Sequence, residues 1–331
     1  MNLEYLAFTA QGMELAAALA RALGGTPARC GAPEGLAGWT ARAFRQAEGL
    51  VFVGAAGIAV RAIAPHVRSK AADPAVVVVD EAGRFAIPLL SGHLGGANDL
   101  ARRIAALLGG QAVLTTATDV RGAFAVDAWA RHQGCAVVNP AAIRRVSAKL
   151  LAGQAIALRT DWPPAGEPPP GVLLAQGADC DVRVTLRPGQ TDALVLVPRI
   201  AVLGVGCRRG TPQAALEAAF SALLARGDLR PQAVRKACSL DRKQDEPGLL
   251  AFCRAHGFPL ETFGAPALRA VPGDFAASPF VERVTGVDNV CERSAVLGSG
   301  GEILVKKQAG NGVTMALALA PYSPDWRWKD E

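Results

Sequence analysis

A chain of 331 residues, half of them hydrophobic and 19% charged, has material for about two domains and a sizeable core, so wholesale disorder is excluded. Its longest apolar stretch, residues 49–60, ends at Arg61, short of the roughly 20 residues that span a bilayer. The net charge of +6 is spread evenly, +2 each over residues 1–140, 141–200 and 201–331, which leaves no basic block of the sort nucleic-acid binders carry.

In chain order, residues 5–9 read as a strand and 14–23 as a helix stopped by Gly24-Gly25. A short buried strand over 49–54 precedes a helix over 58–67. Four consecutive valines place a strand at 75–80, and 85–89 returns beside it as a hairpin. An amphipathic helix over 99–108 ends at Gly109-Gly110, with a strand at 112–116 beyond it. A helix over 123–133, a strand at 136–138 and a helix at 141–152 follow. Five prolines between residues 162 and 171 then predict an exposed loop. Strands at 171–175, 182–186 and 193–197 succeed one another without a helix. The strand–helix rhythm restarts at 200–205, with a helix at 212–225, a strand at 234–239, a helix at 248–256 and a strand at 260–263. Ala309-Gly310-Asn311-Gly312, between strands at 303–308 and 313–320, is a hairpin signal. The expected fold is therefore α/β: two three-layer α/β modules, 1–140 and 201–331, joined by a small β-rich module, 141–200.

Several chemistries fail for want of residues. The seven cysteines lie at least fifteen positions apart and the four histidines are equally dispersed, so no metal site is expected. An odd cysteine count, and a start that carries Glu4 and Glu14 before its first basic residue, Arg21, suit reduced thiols in the cytoplasm. No lysine follows a glycine, which removes the phosphate-binding P-loop. Gly204-Val205-Gly206 suggests a dinucleotide fingerprint, but its third glycine would fall on Arg209. Aromatic residues, at 5%, offer few stacking platforms. Arginine supplies 28 of the 35 basic side chains; a GC-rich genome gives this bias, and so does a need for forks that grip carboxylates.

The densest motif is Ser91-Gly92-His93-Leu94-Gly95-Gly96-Ala97-Asn98, a glycine-rich turn between a strand and a helix start. Amides there favour a carboxylate or an oxyanion, although a capped turn with a hydrogen-bonded histidine explains the same residues. A second cluster runs from Gly57 to Lys70 and includes Arg61, His66 and Arg68. In a third, Arg208 and Arg209 stand just before a helix start, against its dipole, which an anionic ligand would relieve.

The 57–70 cluster, Asp73-Pro74-Ala75-Val76, the Ser91–Asn98 turn, Thr115-Thr116-Ala117-Thr118-Asp119, the run from Asn139-Pro140 to Leu151, the 204–212 and 239–249 segments, and Leu304-Val305-Lys306-Lys307 resemble, in order, the cobalt-precorrin-5A hydrolases of anaerobic cobalamin synthesis (the CbiG family). Residues 286–293 depart from the pattern by being more polar. The resemblance implies opening of the ring-A δ-lactone of a cobalt-bound macrocycle, with release of acetaldehyde. It implies no cofactor beyond the cobalt in the substrate, and a corrinoid partner with room for transient contact with other pathway enzymes. His93 is expected as general base, or as an axial contact to the cobalt, with Ser91 and Asn98 beside it. Substrate contacts are expected at Gly92, Gly95, Gly96, Arg61, Arg68 and Lys70, and at Arg208, Arg209, Asp241, Lys243 and Lys306. A corrinoid carrier needs the arginines but not His93.

Overall fold

Short runs of valine, leucine and phenylalanine, too apolar to leave either face in water, build the first sheet. The computed structural model, which describes residues 1–31, 33–69, 72–177, 179–187 and 189–328, opens with β1 (Leu3–Ala7), α1 (Ala10–Leu23), β2 (Thr26–Arg29), α2 (Gly35–Gln46) and β3 (Gly49–Val53). It continues through α3 (Ala56–Ile63), β4 (Ala75–Val79), β5 (Phe85–Leu90), α4 (Ala97–Leu108) and β6 (Gln111–Ala112). The sheet order is β2-β1-β3-β4-β5-β6, and β5 runs antiparallel to β4. Strands β3 and β4 are buried along their whole length, so both faces need a cover. Leu19 of α1 and Ile104 of α4 supply it on one side, Trp39 of α2 and Ile63 of α3 on the other. Because β5 returns beside β4, with Leu90 opposite Val76, the 91–98 turn sits where β4 begins.

The middle module contains α5 (Ala117–Val120), α6 (Val126–His132), β7 (Cys135–Val137), α7 (Ile143–Leu151), β8 (Ile156–Thr160), β9 (Val172–Leu174), β10 (Val182–Val184) and β11 (Leu194–Pro198). Its sheet runs β7-β11-β10-β8-β9, with only β7 antiparallel to its neighbour. This corrects the expected boundary at 140. Strand β7 pairs with β11, and Trp129 of α6 shares a core with Ile156 and Leu196. The helix expected over 123–133 is α6, which starts three residues later, and a separate short helix, α5, precedes it across Gly122 at φ +63°. The strand expected at 112–116 stops at Ala112. Residues 162–171 hold no strand or helix, as their prolines predict.

The third module comprises β12 (Ala201–Cys207), α8 (Gln213–Gly227), β13 (Val234–Leu240), α9 (Pro247–His256), β14 (Leu260–Phe263), α10 (Ala265–Arg269), α11 (Pro279–Thr285), α12 (Val290–Ser299), β15 (Glu302–Gly310) and β16 (Val313–Leu319). The order is β14-β13-β12-β16-β15, parallel from β14 to β12 and antiparallel beyond. Phe220 and Phe252 seat α8 and α9 on one face. On the other, α12 lies so close to β12 that a Cβ at Gly204 would meet the Cys291 carbonyl. Gly204 thus admits a helix backbone, whereas Gly206 leaves room for the Thr314 hydroxyl of β16. Asn311 and Gly312, at φ +49° and +78°, make the expected hairpin turn. Among the described residues no helix is long and apolar enough to cross a membrane.

Candidate active site

The 91–98 turn is held by its own backbone. The amides of Gly96, Ala97 and Asn98 donate to the carbonyls of His93, Ser91 and Gly92 at 3.0, 3.2 and 2.9 Å. Ser91, at φ +56°, is buried and donates its hydroxyl to the Asp73 carbonyl at 2.9 Å. Asp73 in turn accepts from the Arg68 amide at 2.9 Å. A side chain at Gly95 would strike the Ser91 carbonyl at 2.8 Å, and one at Gly92 the Asn98 amide at 2.7 Å. Gly96 adopts φ +82° beneath the Arg131 guanidinium. The glycines are therefore needed for closure of the turn.

This turn delivers His93 into a charged cluster between the first and middle modules. His93 Nε2 lies 2.8 Å from Asp119 Oδ2, and Nδ1 lies 3.1 Å from Asp127 Oδ1. Asn98 donates to Asp119 at 2.8 Å and to the Thr116 hydroxyl at 2.9 Å. Arg102 bridges Asp119 and Asp99, and Arg131 and His132 also reach Asp99. Three buried carboxylates thus face two guanidiniums. A neutral His93 would leave negative charge uncompensated in a poorly solvated place, whereas an imidazolium closes the balance. Burial alone would lower the His93 pKa, but the hydrogen bonds the ring donates to Asp119 and Asp127 outweigh it and raise it from 6.5 to about 9. Burial likewise opposes the charge of Asp119, yet His93, Thr116 and Arg102 hold it well below the usual carboxylate range.

These contacts bear on each expected role. With both ring nitrogens held by carboxylates and the ring charged near neutrality, His93 has no lone pair with which to act as base. The Asn98 side-chain amide and the Gly96 amide are already bound within the cluster, and the Ser91 hydroxyl is tied to Asp73. In this conformation none of the three is presented to a substrate oxyanion. Asp99, Arg102, Asp127, Arg131 and His132 were not singled out from sequence. Two signals bear on them: Asp119 ends the Thr115–Asp119 run, and Asp127 and Arg131 stand at i, i+4 spacing, on one helix face.

The expected substrate contacts divide between two sheets. Arg61 and Arg68 are exposed in the first module, with Arg61 Nη1 3.4 Å from the Gly57 carbonyl; Lys70 lies outside the described residues. Arg208 and Arg209 are exposed in the loop after β12, and Asp241 and Lys243 follow its parallel neighbour β13 at the same end of the sheet. Lys243 pairs with buried Glu246 at 2.9 Å, and Glu246 also accepts from the Gly210 amide at 2.6 Å, which fixes the arginine loop. Asp241 caps its own turn by accepting from the Arg242 amide at 2.7 Å. Lys306 is exposed on β15. Among the described residues no group of three or more His, Cys, Asp or Glu side chains is placed to hold a metal ion.

Comparison with known proteins accounts for nearly the whole chain. Residues 38–119 match the cobalamin synthesis G N-terminal domain, 124–198 the cobalamin biosynthesis central region, and 201–318 the cobalamin synthesis G C-terminus. The chain is 36% identical over 310 residues to a cobalt-precorrin-5A hydrolase of Salmonella typhimurium, covering 86% of each. It is 32% identical over 305 residues to the enzyme of that name from Priestia megaterium, covering 84% of this chain and 80% of the relative. A solved cobalamin biosynthesis protein G homolog from Sulfolobus solfataricus aligns over 97% of both chains at 19% identity, with a TM-score of 0.45. With three domain matches in order and two relatives above 30% identity, this chain belongs to the cobalamin synthesis G family of cobalt-precorrin-5A hydrolases.

Proposed function

We propose that this protein is a hydrolase of cobalamin biosynthesis that opens the ring-A δ-lactone of cobalt-precorrin-5A, releases acetaldehyde and yields cobalt-precorrin-5B. The observation that carries this reading is the 36% identity to a cobalt-precorrin-5A hydrolase across 86% of both chains. Cobalt arrives in the substrate on this reading, and no separate cofactor takes part. The reaction consumes one water: it breaks the lactone acyl–oxygen bond to give a carboxylate and an alcohol. The alcohol then loses its proton as its carbon–carbon bond to the ring breaks, so that the carbon bearing the methyl group leaves as the aldehyde and the macrocycle keeps the electron pair.

Such chemistry needs a donor for the tetrahedral oxyanion and a proton for the departing oxygen. The imidazolium of His93 is suited to both once a substrate oxygen replaces one of its carboxylate partners. Asp119 and Asp127 keep it charged, and Asn98 and Arg102 keep Asp119 ionised. This assignment replaces the base role expected from sequence, and Ser91, Gly92, Gly95 and Gly96 become the frame of the turn. The exposed Arg61, Arg68, Arg208, Arg209 and Lys306 supply cations for the carboxylate rim of the macrocycle. The reaction belongs to the cytoplasm, where reduced thiols are stable. Incubating the purified protein with cobalt-precorrin-5A and trapping acetaldehyde tests the reading. Stoichiometric aldehyde supports it, whereas a spectral shift without aldehyde makes the protein a corrinoid carrier.

A further inference from the structure

Helix α6 faces two ways. At 100° per residue, Asp127 and Arg131 share one face, while Trp129 and Gln133 point to the opposite side. The first face carries Asp127 to His93 and Arg131 to Asp99. The second is occupied by the end of the chain, which leaves the third module after β16 and returns across the middle one. Trp326 stacks on Trp129 with ring centroids 5.5 Å apart and planes 20° apart. The Trp129 indole donates to the Asp325 carbonyl at 2.6 Å. Gln133 and Asp325 exchange two hydrogen bonds of 2.9 Å, side-chain amide to carboxylate and backbone amide to side-chain carbonyl. The proline-rich loop grips the same segment from outside: Ala165 donates to the Pro324 carbonyl at 2.8 Å, and Trp326 Nε1 to the Gly166 carbonyl at 3.2 Å.

We propose that this returning tail, residues 322–328 clasped between α6 and the proline-rich loop, is a positioning element that holds Asp127 and Arg131 in register with His93 and Asp99. A seven-residue helix has little stability of its own, so its placement depends on what packs against its outer face. The tail begins in the third module, where the Ala320 amide bonds to the Ile200 carbonyl at 2.9 Å. The state of the His93 cluster is thereby tied to docking of the module that bears Arg208 and Arg209. Asp119 on α5, Asp127 on α6 and, through Asp119, Arg102 on α4 are the charged groups that face His93. Movement of α6 removes Asp127 alone and leaves the other two. The catalytic part of the inference rests on the hydrolase reading, but its structural part does not.

The test is titration of the His93 ring by nitrogen-15 NMR in the full-length protein, in wild type, Trp326→Ala, Trp326→Phe and Gln133→Ala. Loss of one carboxylate partner moves a pKa by about one unit or more. The His93 midpoint should therefore fall by about that much in Trp326→Ala and Gln133→Ala, and return in Trp326→Phe, which keeps an aromatic ring on Trp129. Acetaldehyde release should lose kcat with little change in KM. An unchanged midpoint in folded Trp326→Ala, with a lowered Tm, would make the tail a plain structural strap and overturn the proposal. Should Trp326→Ala fail to fold, Gln133→Ala decides by the same criterion, because it removes hydrogen bonds without opening the tryptophan stack. A wild-type protein that released no acetaldehyde would refute the hydrolase reading and leave the midpoint comparison standing.

Discussion

Replacing His93 with Gln keeps most of the side chain's size and hydrogen-bonding capacity but removes its charge, and the consequence for stability depends on pH in a direction the structure fixes. The folded-state pKa, about 9, lies above the ordinary value of 6.5. A group raised in this way contributes its full stabilisation below 6.5, and that contribution is lost as pH rises through about 9. At about 1.4 kcal/mol per pH unit, the protonated ring stabilises the fold by something on the order of 3 kcal/mol. The side chain is only 11% exposed, so solvent screening takes little from that figure. Urea unfolding of wild type and His93→Gln at a series of pH values from about 6 to 10 reads it directly as the difference in unfolding free energy. The gap should be widest near pH 6 and close toward pH 10. A gap that stays flat, or one that widens with pH, would mean that His93 is neutral in the folded protein and that the charge balance of the cluster is wrongly drawn.

His93→Ala should lower acetaldehyde turnover by about 10²–10³, the usual effect of removing one oxyanion donor, while corrinoid binding measured by the bound chromophore's spectrum persists; full turnover would take His93 out of the chemistry. Replacing Arg208 and Arg209 together with Ala should weaken binding by roughly two to four decades, since charge-assisted hydrogen bonds contribute about 1.5–3 kcal/mol each. That loss should shrink as salt rises, and an unchanged Kd would leave both arginines as ordinary surface. Gly95→Ala forces a methyl against the Ser91 carbonyl and should destabilise the protein by about 1–3 kcal/mol. A Tm equal to wild type would show that the turn has slack.

The two flanking sheets were readable because burial on both faces writes itself as continuous apolar runs. Val76–Val79 and the residues of β12 admit little else. Helix α12 escaped because Glu292 and Arg293 break its apolar pattern. Glu292 is nevertheless buried, accepting from Asn289 and from the amides of Ala276 and Lys307. Strand β7 is legible as a strand, but three residues carry no sign that they join β11 rather than the first sheet. The histidine turn was legible as a motif, but its chemistry was not. Whether an imidazole is base or cation depends on what surrounds it, and Asp119 and Asp127 lie 26 and 34 positions away in sequence. No local pattern announces that two carboxylates from other elements will converge on one ring.

The most direct test of the account is the pH profile of acetaldehyde release from cobalt-precorrin-5A by the wild-type protein. A charged His93 acting as donor predicts stoichiometric aldehyde and a kcat/KM, which reports the free enzyme, that falls as pH rises through about 9. A rate that instead climbs through 6.5 would restore His93 as a base and contradict the charged cluster, and no aldehyde at any pH would contradict the hydrolase itself.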